Sequence, residues 1–203
     1  MEDLYEKGEE KFGYFTSKMY QIVAKRIGSM QRFYAFIAED VNRADPKIVL
    51  DVGTGPGLLL KRIAKINRKI YAVDPSSYMV SLSKKNNAGV KNLHVGYGSS
   101  RKIPFNQKYD LIISTLSLHH WKGKESSMSY LSTLLRRGGE IRVYEFEKSA
   151  KRSQFRVLSI HGLTISEARL VAKKANLRIK GIKKRDGFLR VTFSSIGKNH
   201  KNL

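Results

Sequence analysis

Two aspartates, each at the end of an apolar run, are the residues best suited to bind a nucleoside. Asp51 follows Ile48-Val49-Leu50, and Asp74 follows Ile70-Tyr71-Ala72-Val73. Glycines stand at every second position directly after Asp51, so the backbone can approach a ligand closely there. Asp74 lies about 20 residues beyond these glycines, where a carboxylate can accept both hydroxyls of a ribose. The spacing therefore predicts a nucleoside site at the ends of two neighbouring strands.

The spacing of the glycines separates this turn from other phosphate-binding and nucleotide-binding loops. A dinucleotide fingerprint that began at Gly53 and Gly55 would have its third glycine at position 58, where Leu58 stands. No lysine followed by serine or threonine completes a phosphate-binding loop. The pattern is instead Asp-x-Gly-x-Gly-x-Gly, and it ends at Gly57 between a strand and a helical pattern. A tight turn in an ordinary α/β protein is the other interpretation of this motif alone.

Five blocks between Ile48 and Phe146, in order, resemble the class I S-adenosylmethionine-dependent methyltransferases. The Leu-His-His-Trp ending at 118–121 is similar to the small type 11 branch of that family. The resemblance implies that S-adenosyl-L-methionine is the cofactor and that the enzyme transfers its methyl group. It implies these cofactor-binding residues: Asp51, Gly53, Thr54, Gly55, Gly57, Asp74, Pro75, Gly98, Ser99, Ser100, Ser114 and Leu116.

The elements that must position these residues predict an α/β fold of the Rossmann-like kind. Strands at 48–50, 70–74, 94–97 and 109–114 and a fifth strand after Gly138-Gly139 alternate with helical patterns, including Leu58–Asn67 and Glu125–Leu135. Two further strands flank Asp186-Gly187, a dipeptide that favours a hairpin turn. We expect a seven-stranded, mostly parallel sheet with helices on both faces and an antiparallel C-terminal hairpin. Residues 1–44 would form a helical lid, its first twelve residues frayed or an acidic helix start, and residues 45–203 the methyltransferase domain.

One position departs from the family pattern. An acidic residue usually stands where this chain has Ser99, and in the family it binds the exocyclic amine of adenine. A serine can accept a hydrogen bond from that amine but brings no charge. Either adenine is held less tightly, or Ser100 or a backbone carbonyl takes over the contact.

The segment after the fourth strand carries the candidates for chemistry. Methyl transfer to a hydroxyl needs a base, and imidazole suits that role near neutral pH. His119 and His120 are the candidate catalytic residues, and Trp121 could stack on a flat acceptor. The other interpretation is a helix-capping histidine pair and a packed tryptophan. The resemblance favours it, because the motif occurs in members of the family that act on different acceptors. The other expected acceptor-side residues are Tyr14, Tyr20, Tyr144 and Glu145.

The net charge of +22 predicts a polyanionic partner. The excess is concentrated after Lys148, where Glu167 and Asp186 are the only acids. The closing hairpin places four cations near its turn, and we expect RNA (tRNA or rRNA) as the acceptor, bound partly there. The other explanation is that the charged side chains at the hairpin tip are simply solvated and bind no partner. The four residues are Lys180, Lys183, Lys184 and Arg185.

Composition excludes several other classes. With no cysteine the chain has neither disulfides nor thiolate metal ligands, and its five histidines lack ligand spacing, so no metal is expected. The absence of an 18-residue apolar run and of an apolar leader predicts a cytoplasmic protein. Three alternatives to RNA stay open: a small molecule such as a quinone precursor, a protein side chain, or a non-catalytic nucleic-acid-binding module on the same fold. The sequence leaves the oligomeric state undetermined.

Overall fold

The computed structural model describes residues 4, 5, 9, 11, 13, 16, 17, 22, 26–148 and 162–196. The predicted lid and acceptor residues Tyr14 and Tyr20 lie outside these residues. No helix in the described ranges has both the length and the apolar character needed to cross a membrane.

A seven-stranded sheet with strand order 3-2-1-4-5-7-6 forms the centre of the fold. Neighbouring strands among the first five are parallel, and the last strand is antiparallel to both of its neighbours. This confirms the predicted Rossmann-like sheet with its antiparallel C-terminal hairpin. The strands are β1 Ile48–Val52, β2 Lys69–Asp74, β3 Leu93–Tyr97, β4 Tyr109–Thr115, β5 Leu135–Phe146, β6 Leu177–Arg185 and β7 Phe188–Ser195.

Helices cover both faces of the sheet, which explains why β1 is buried at every residue and reads as a continuous apolar run. Two separate clusters of buried apolar side chains lie on the two faces. A single 3₁₀ turn, Leu118–His120, follows β4. Between residues 28 and 196, the described ranges contain the α-helices α1 Gly28–Ala44, α2 Leu60–Ile63, α3 Ser77–Asn86, α4 Lys124–Thr133 and α5 Ile165–Lys174.

Helix α1 is held against the sheet by aromatic packing and by a buried acid. The Phe33 ring stacks on Phe146 at 5.3 Å between centroids and meets Phe188 at 4.8 Å. Asp40 accepts a hydrogen bond from the Tyr144 hydroxyl at 2.6 Å and pairs with Arg142 at 2.9 Å. The carboxylate is buried yet fully paired, so this helix is fixed to β5 through both apolar and ionic contacts.

The crossover helix after the glycine turn is shorter than predicted. The expected helix over Leu58–Asn67 forms only at Leu60–Ile63. The carbonyls that would continue it are taken by other donors: Asn42 donates to the Arg62 carbonyl at 3.2 Å, and the buried Arg68 guanidinium donates to the Ile63 carbonyl. Arg68 is fixed in turn by Asn42 Oδ1 at 2.7 Å. These contacts between distant side chains override the local helical pattern.

The double glycine before the fifth strand lies inside that strand rather than in a turn ahead of it. β5 already begins at Leu135, and the pairing with β4 shifts register between Tyr109 and Leu111. Gly138 adopts a φ of 81° in the bulged stretch, a conformation that favours glycine. The C-terminal hairpin has its predicted two-residue turn, with φ of 52° at Asp186 and 79° at Gly187.

Candidate active site

The glycine turn at the carboxyl end of β1 has a conformation that only glycine accommodates. Gly53 adopts a φ of 75°, and a Cβ added there would lie 2.0 Å from Ser117 Oγ. The amides of Gly53 and Thr54 both donate to the Val73 carbonyl, at 2.9 and 3.0 Å. The turn is therefore tied to the end of β2, and it brings its backbone against the segment that follows β4.

Asp51 lies at the base of this turn and is almost completely buried. Thr54 Oγ1 donates to Asp51 Oδ2 at 2.7 Å, whereas Asp51 Oδ1 has no hydrogen-bond partner among the described residues. Burial, opposed by the Thr54 hydrogen bond and helped by the nearby Asp74 carboxylate, raises the pKa of Asp51 to about 7. A buried carboxylate oxygen without a donor is a binding position for a cation or an N–H group.

Asp74, at the end of β2, is held between two backbone amides. Its Oδ2 accepts from the Gly55 amide at 2.8 Å and its Oδ1 from the Ser76 amide at 2.9 Å. Burial raises the pKa of Asp74 to about 6 despite these two hydrogen bonds. The contact to Gly55 joins the two sequence motifs into one site.

A cleft of about 920 Å³, open to solvent, lies over the carboxyl ends of β1, β2 and β4. Ligands bind at this edge in open α/β sheets. Many of the sequence-predicted residues line it: Asp51, Gly53, Thr54, Gly55, Asp74, Pro75, Ser99, Ser100, Leu116, His120 and Trp121.

Three of the predicted cofactor residues lie behind the wall of the cleft. A Cβ on Gly57 would lie 2.4 Å from Ser83 Oγ, so this glycine permits close packing of the turn on α3. Gly98 is similarly crowded by Pro104 and by the Lys102 carbonyl. Ser114 is buried, and its hydroxyl has no hydrogen-bond partner within the described part of the chain. These residues shape the site from beneath.

Sequence reasoning missed several residues of the cleft wall: Tyr5, Glu9, Tyr34, Leu59, Met79, Arg101 and Ser117. The expected fraying of residues 1–12 is wrong for two of the described residues in that stretch. Arg101 donates to the Leu4 carbonyl at 2.9 Å and forms an ion pair with Glu9 at 2.8 Å. The sequence offered one signal, an acidic N-terminus in an otherwise basic chain, but nothing in it indicates which cation the acids meet.

His119 is hydrogen-bonded to the buried carboxylate of Glu145. Its Nδ1 lies 2.9 Å from Glu145 Oε2, and its backbone amide donates to Glu145 Oε1 at 3.4 Å. Glu145, near the end of β5, is fully buried. The His119 ring lies 3.9 Å from the ring of His120, which lines the cleft. A buried carboxylate can orient a general base in this way, although of the two histidines His120 and not His119 is among the described residues that line the cleft.

The turn that carries these histidines is built by a strained residue. Leu116 has a φ of 48° without being glycine, and its amide donates to the Tyr144 carbonyl at 2.9 Å. Trp121 is buried and donates from Nε1 to Ser117 Oγ at 3.0 Å, so it is packed and lines the cleft at once. Tyr144 itself is fully buried and its hydroxyl donates to Asp40, outside the cleft lining.

The four predicted RNA-contacting cations of the hairpin all contact groups of the protein itself. Lys180 pairs with Glu140, Lys184 with Glu147, and Arg185 with Glu39 at 2.8 Å. The Lys183 ammonium lies 5.3 Å from the centroid of the Phe36 ring. The acids on β5 and α1 thus offset much of the positive charge at this tip.

The raised pKa values of the two aspartates predict how stability depends on pH. A carboxyl whose pKa is higher in the folded than in the unfolded chain contributes stability that is fully present below the unfolded pKa of about 4 and is lost progressively as pH rises from there to about 6 to 7. We expect Asp51→Asn to raise the free energy of unfolding at pH 8 by on the order of 2–4 kcal/mol and to raise it by only about 1–2 kcal/mol at pH 5. Urea unfolding of the ligand-free protein at both pH values measures this.

Asp186→Asn is the matched control for this prediction, because it removes the same charge at an exposed hairpin position where asparagine is tolerated. It should leave the difference between pH 5 and pH 8 as in wild type. An Asp51→Asn protein with no added stability at pH 8 would show that Asp51 is not held as a costly buried charge.

Residues 50–143 match the model of a protein family described as a methyltransferase domain. An uncharacterized methyltransferase of Anoxybacillus flavithermus is 32% identical over 111 residues, which cover 53% of this chain and 51% of that protein. A ubiquinone/menaquinone biosynthesis C-methyltransferase of Wigglesworthia glossinidia brevipalpis is 27% identical over 107 residues, 49% of this chain and 43% of that one. The chain thus spans about half or less of the length of these curated relatives.

Solved structures extend the likeness in fold to nearly the whole chain. The crystal structure of an S-adenosylmethionine-dependent methyltransferase from Methanococcus maripaludis, titled as putative, superposes with a TM-score of 0.78 at 20% identity. The superposition covers 97% of this chain and 99% of that one. At this identity the likeness establishes the fold.

Proposed function

We propose that this chain is an S-adenosyl-L-methionine-dependent methyltransferase, because its residues 50–143 match the methyltransferase domain family. The cleft fits that donor. The buried Asp51 Oδ1, which no described residue contacts, is suited to its ammonium group, and Asp74 is suited to its ribose hydroxyls. Pro75, Met79 and Leu116 add an apolar wall.

The pairing of His119 with Glu145 is the observation that carries the proposal for the acceptor. S-adenosylmethionine supplies an activated methyl group when bound, so the chain itself must align the acceptor and remove its proton. In the tautomer whose Nδ1–H donates a hydrogen bond to Glu145, the basic nitrogen of His119 is Nε2. We infer an acceptor whose reacting group must lose a proton, above all a hydroxyl.

A small molecule is the acceptor that the geometry supports best. The hairpin cations are paired with acids of the same chain, which weakens the case for a polyanion at that tip. The Wigglesworthia relative is named as a C-methyltransferase of ubiquinone and menaquinone biosynthesis, which favours a small-molecule acceptor, whereas the choice of a hydroxyl rests on His119 and Glu145 alone. A hydroxylated ring compound would suit both the buried Trp121 in the cleft wall and the base.

RNA is the second candidate acceptor, favoured by the net charge of +22. The charge that remains for a polyanion lies away from the hairpin. Lys61, Lys84, Lys85 and Lys91 are exposed and form no ion pair with any described residue. A cationic surface of this kind would hold an RNA backbone through phosphate contacts whose strength falls with added salt.

Titration calorimetry with S-adenosylhomocysteine, followed by methyl-transfer assays at 50 and 300 mM salt, tests the proposal. We expect saturable binding of the cofactor product, and turnover of a panel of hydroxylated ring compounds that changes less than about twofold with salt. Wild-type protein that binds no S-adenosylhomocysteine would overturn the proposed activity.

The charge-reversed variant Lys84→Glu/Lys85→Glu separates the two acceptors. Methylation of a small hydroxylated compound should be unchanged in it, whereas methylation of bulk tRNA would fall steeply and with a shallower salt dependence than in wild type. If wild type methylates tRNA but none of the small compounds, and the variant no longer methylates tRNA, RNA is the acceptor.

A further inference from the structure

A third carboxylate lines the cleft besides the two strand-end aspartates. Glu9, on the N-terminal segment, belongs to the cleft wall together with Ser99, Ser100 and Arg101. Its side chain is only 8% exposed. Neither the glycine turn nor the proposed base uses it, so a nearly buried acid in the cleft wall is left without an assigned role.

The serines at the end of β3 supply no charge to this part of the cleft. Ser99 Oγ accepts from the Arg101 amide at 3.3 Å, and the backbone of Ser99 is paired in both directions with Lys102. Ser100 Oγ lies 3.0 Å from Ser127 Oγ, a fully buried hydroxyl. Of the two hydroxyls that could have met a ligand's amine, that of Ser99 is therefore engaged in the local turn and that of Ser100 with helix α4.

Arg101 brings the carboxylate of Glu9 to these serines. Its Nη1 donates to Glu9 Oε1 at 2.8 Å and its Nη2 to Glu9 Oε2 at 3.1 Å, a two-point contact that fixes the plane of the carboxylate. The amide of Lys122 also donates to Glu9 Oε1, at 3.2 Å. The carboxylate is thus fixed between the turn after β3 and the segment that carries Trp121.

We propose that Glu9 is a cofactor-binding residue whose carboxylate accepts a hydrogen bond from the exocyclic amine of adenine, with Arg101 as its positioning residue. The inference rests on the proposed function, because it assigns one end of the cofactor in the same cleft. With the ammonium group of the cofactor assigned to Asp51 and its ribose hydroxyls to Asp74, the adenine amine is the remaining donor, and a carboxylate is an acceptor that cannot donate. An N-terminal carboxylate thereby replaces the charge that Ser99 lacks.

A pair of ligands that differ at this amine and in the proton on the adjacent ring nitrogen N1 tests the assignment. S-adenosylhomocysteine has the amine, and S-inosylhomocysteine has a carbonyl oxygen in its place. Wild type should bind the adenosyl ligand about tenfold to a hundredfold more tightly, the effect of one hydrogen bond to a charged group. In Glu9→Ala the adenosyl ligand should lose most of that preference, while the affinity for the inosyl ligand stays within about twofold.

Glu9→Gln is the second variant, since it preserves the size of the side chain and its amide can either accept or donate. It should also narrow the preference between the two ligands. Arg101→Met should reduce the preference for the adenosyl ligand less, because it leaves the Glu9 carboxylate in place and removes only the two hydrogen bonds that orient it. Glu125→Ala is the charge-matched control. It removes an acid of α4 that pairs with Lys174 of α5, and it should retain the wild-type preference.

Two results would overturn the inference: an equal loss of affinity for both ligands in Glu9→Ala, or an unchanged ratio of the two affinities in Glu9→Gln. Either would make Glu9 a structural partner of Arg101 only. Failure of the proposed function looks different, because wild type would then bind neither ligand. Calorimetry with the two ligands distinguishes these cases without any assay of turnover.

Discussion

Asp74→Ala is expected to weaken the binding of S-adenosylhomocysteine by about a hundredfold to ten-thousandfold. The carboxylate would contribute two hydrogen bonds to ribose hydroxyls, each worth about 1.5–3 kcal/mol for a charged acceptor. It also fixes the glycine turn through the Gly55 amide at 2.8 Å, so its loss removes a ligand contact and releases the backbone that faces the ligand. Titration calorimetry of the purified variant measures the effect directly.

Asp110→Ala is a matched control for this variant. Asp110 also accepts two backbone amides, from Lys47 at 3.0 Å and Ile48 at 2.8 Å, but it does so at the amino end of β1, the opposite edge of the sheet. Its replacement should lower the free energy of unfolding by about 1–3 kcal/mol and leave ligand affinity unchanged. Full affinity in Asp74→Ala, or equal loss in both variants, would remove Asp74 from the binding site.

The second large effect is expected at His119. His119→Ala should lower kcat by about a hundredfold to ten-thousandfold while the affinity for S-adenosylhomocysteine stays within about twofold. The proton of an acceptor hydroxyl would then have no side chain to receive it. Steady-state turnover of a hydroxylated acceptor, with calorimetry of the same preparation, measures the two quantities.

Glu145 is expected to act through His119 as a positioning residue. Glu145→Gln keeps the size of the side chain but removes the charge that receives the Nδ1 proton, so the ring would favour the wrong tautomer. We expect kcat to fall at least about tenfold, with a changed pH profile of kcat and partial rescue in Glu145→Asp. A purely structural glutamate would lower stability but leave the shape of the pH profile unchanged.

His120→Ala is the internal control, because His120 lines the cleft with its ring tilted at 46° to that of His119, whereas Glu145 orients His119. Its turnover should fall less than about tenfold. Normal turnover in both His119→Ala and Glu145→Gln would indicate an acceptor that needs no base, such as an amine or an activated carbon.

The sequence by itself determined the parts of this protein that depend on neighbouring residues. The glycine turn is one example, because an apolar run, an aspartate and alternating glycines specify strand and turn within ten residues. The Asp186-Gly187 hairpin and the capping box of α5, in which Thr164 Oγ1 accepts from the Glu167 amide at 3.1 Å, are two others. Their signals are local, so no knowledge of the rest of the chain was needed.

Only the tertiary structure decided which distant side chains meet. It joined Glu9 to Arg101, His119 to Glu145, and the hairpin cations to acids on α1 and β5. It also ended α2 early, because Asn42 and Arg68 took the carbonyls that a longer helix needs. Pairing of this kind follows from the order of strands in the sheet, and a linear pattern of charges has many possible partners of equal chemistry. The strand ends could therefore be predicted, whereas the ionic contacts around the cleft required the fold.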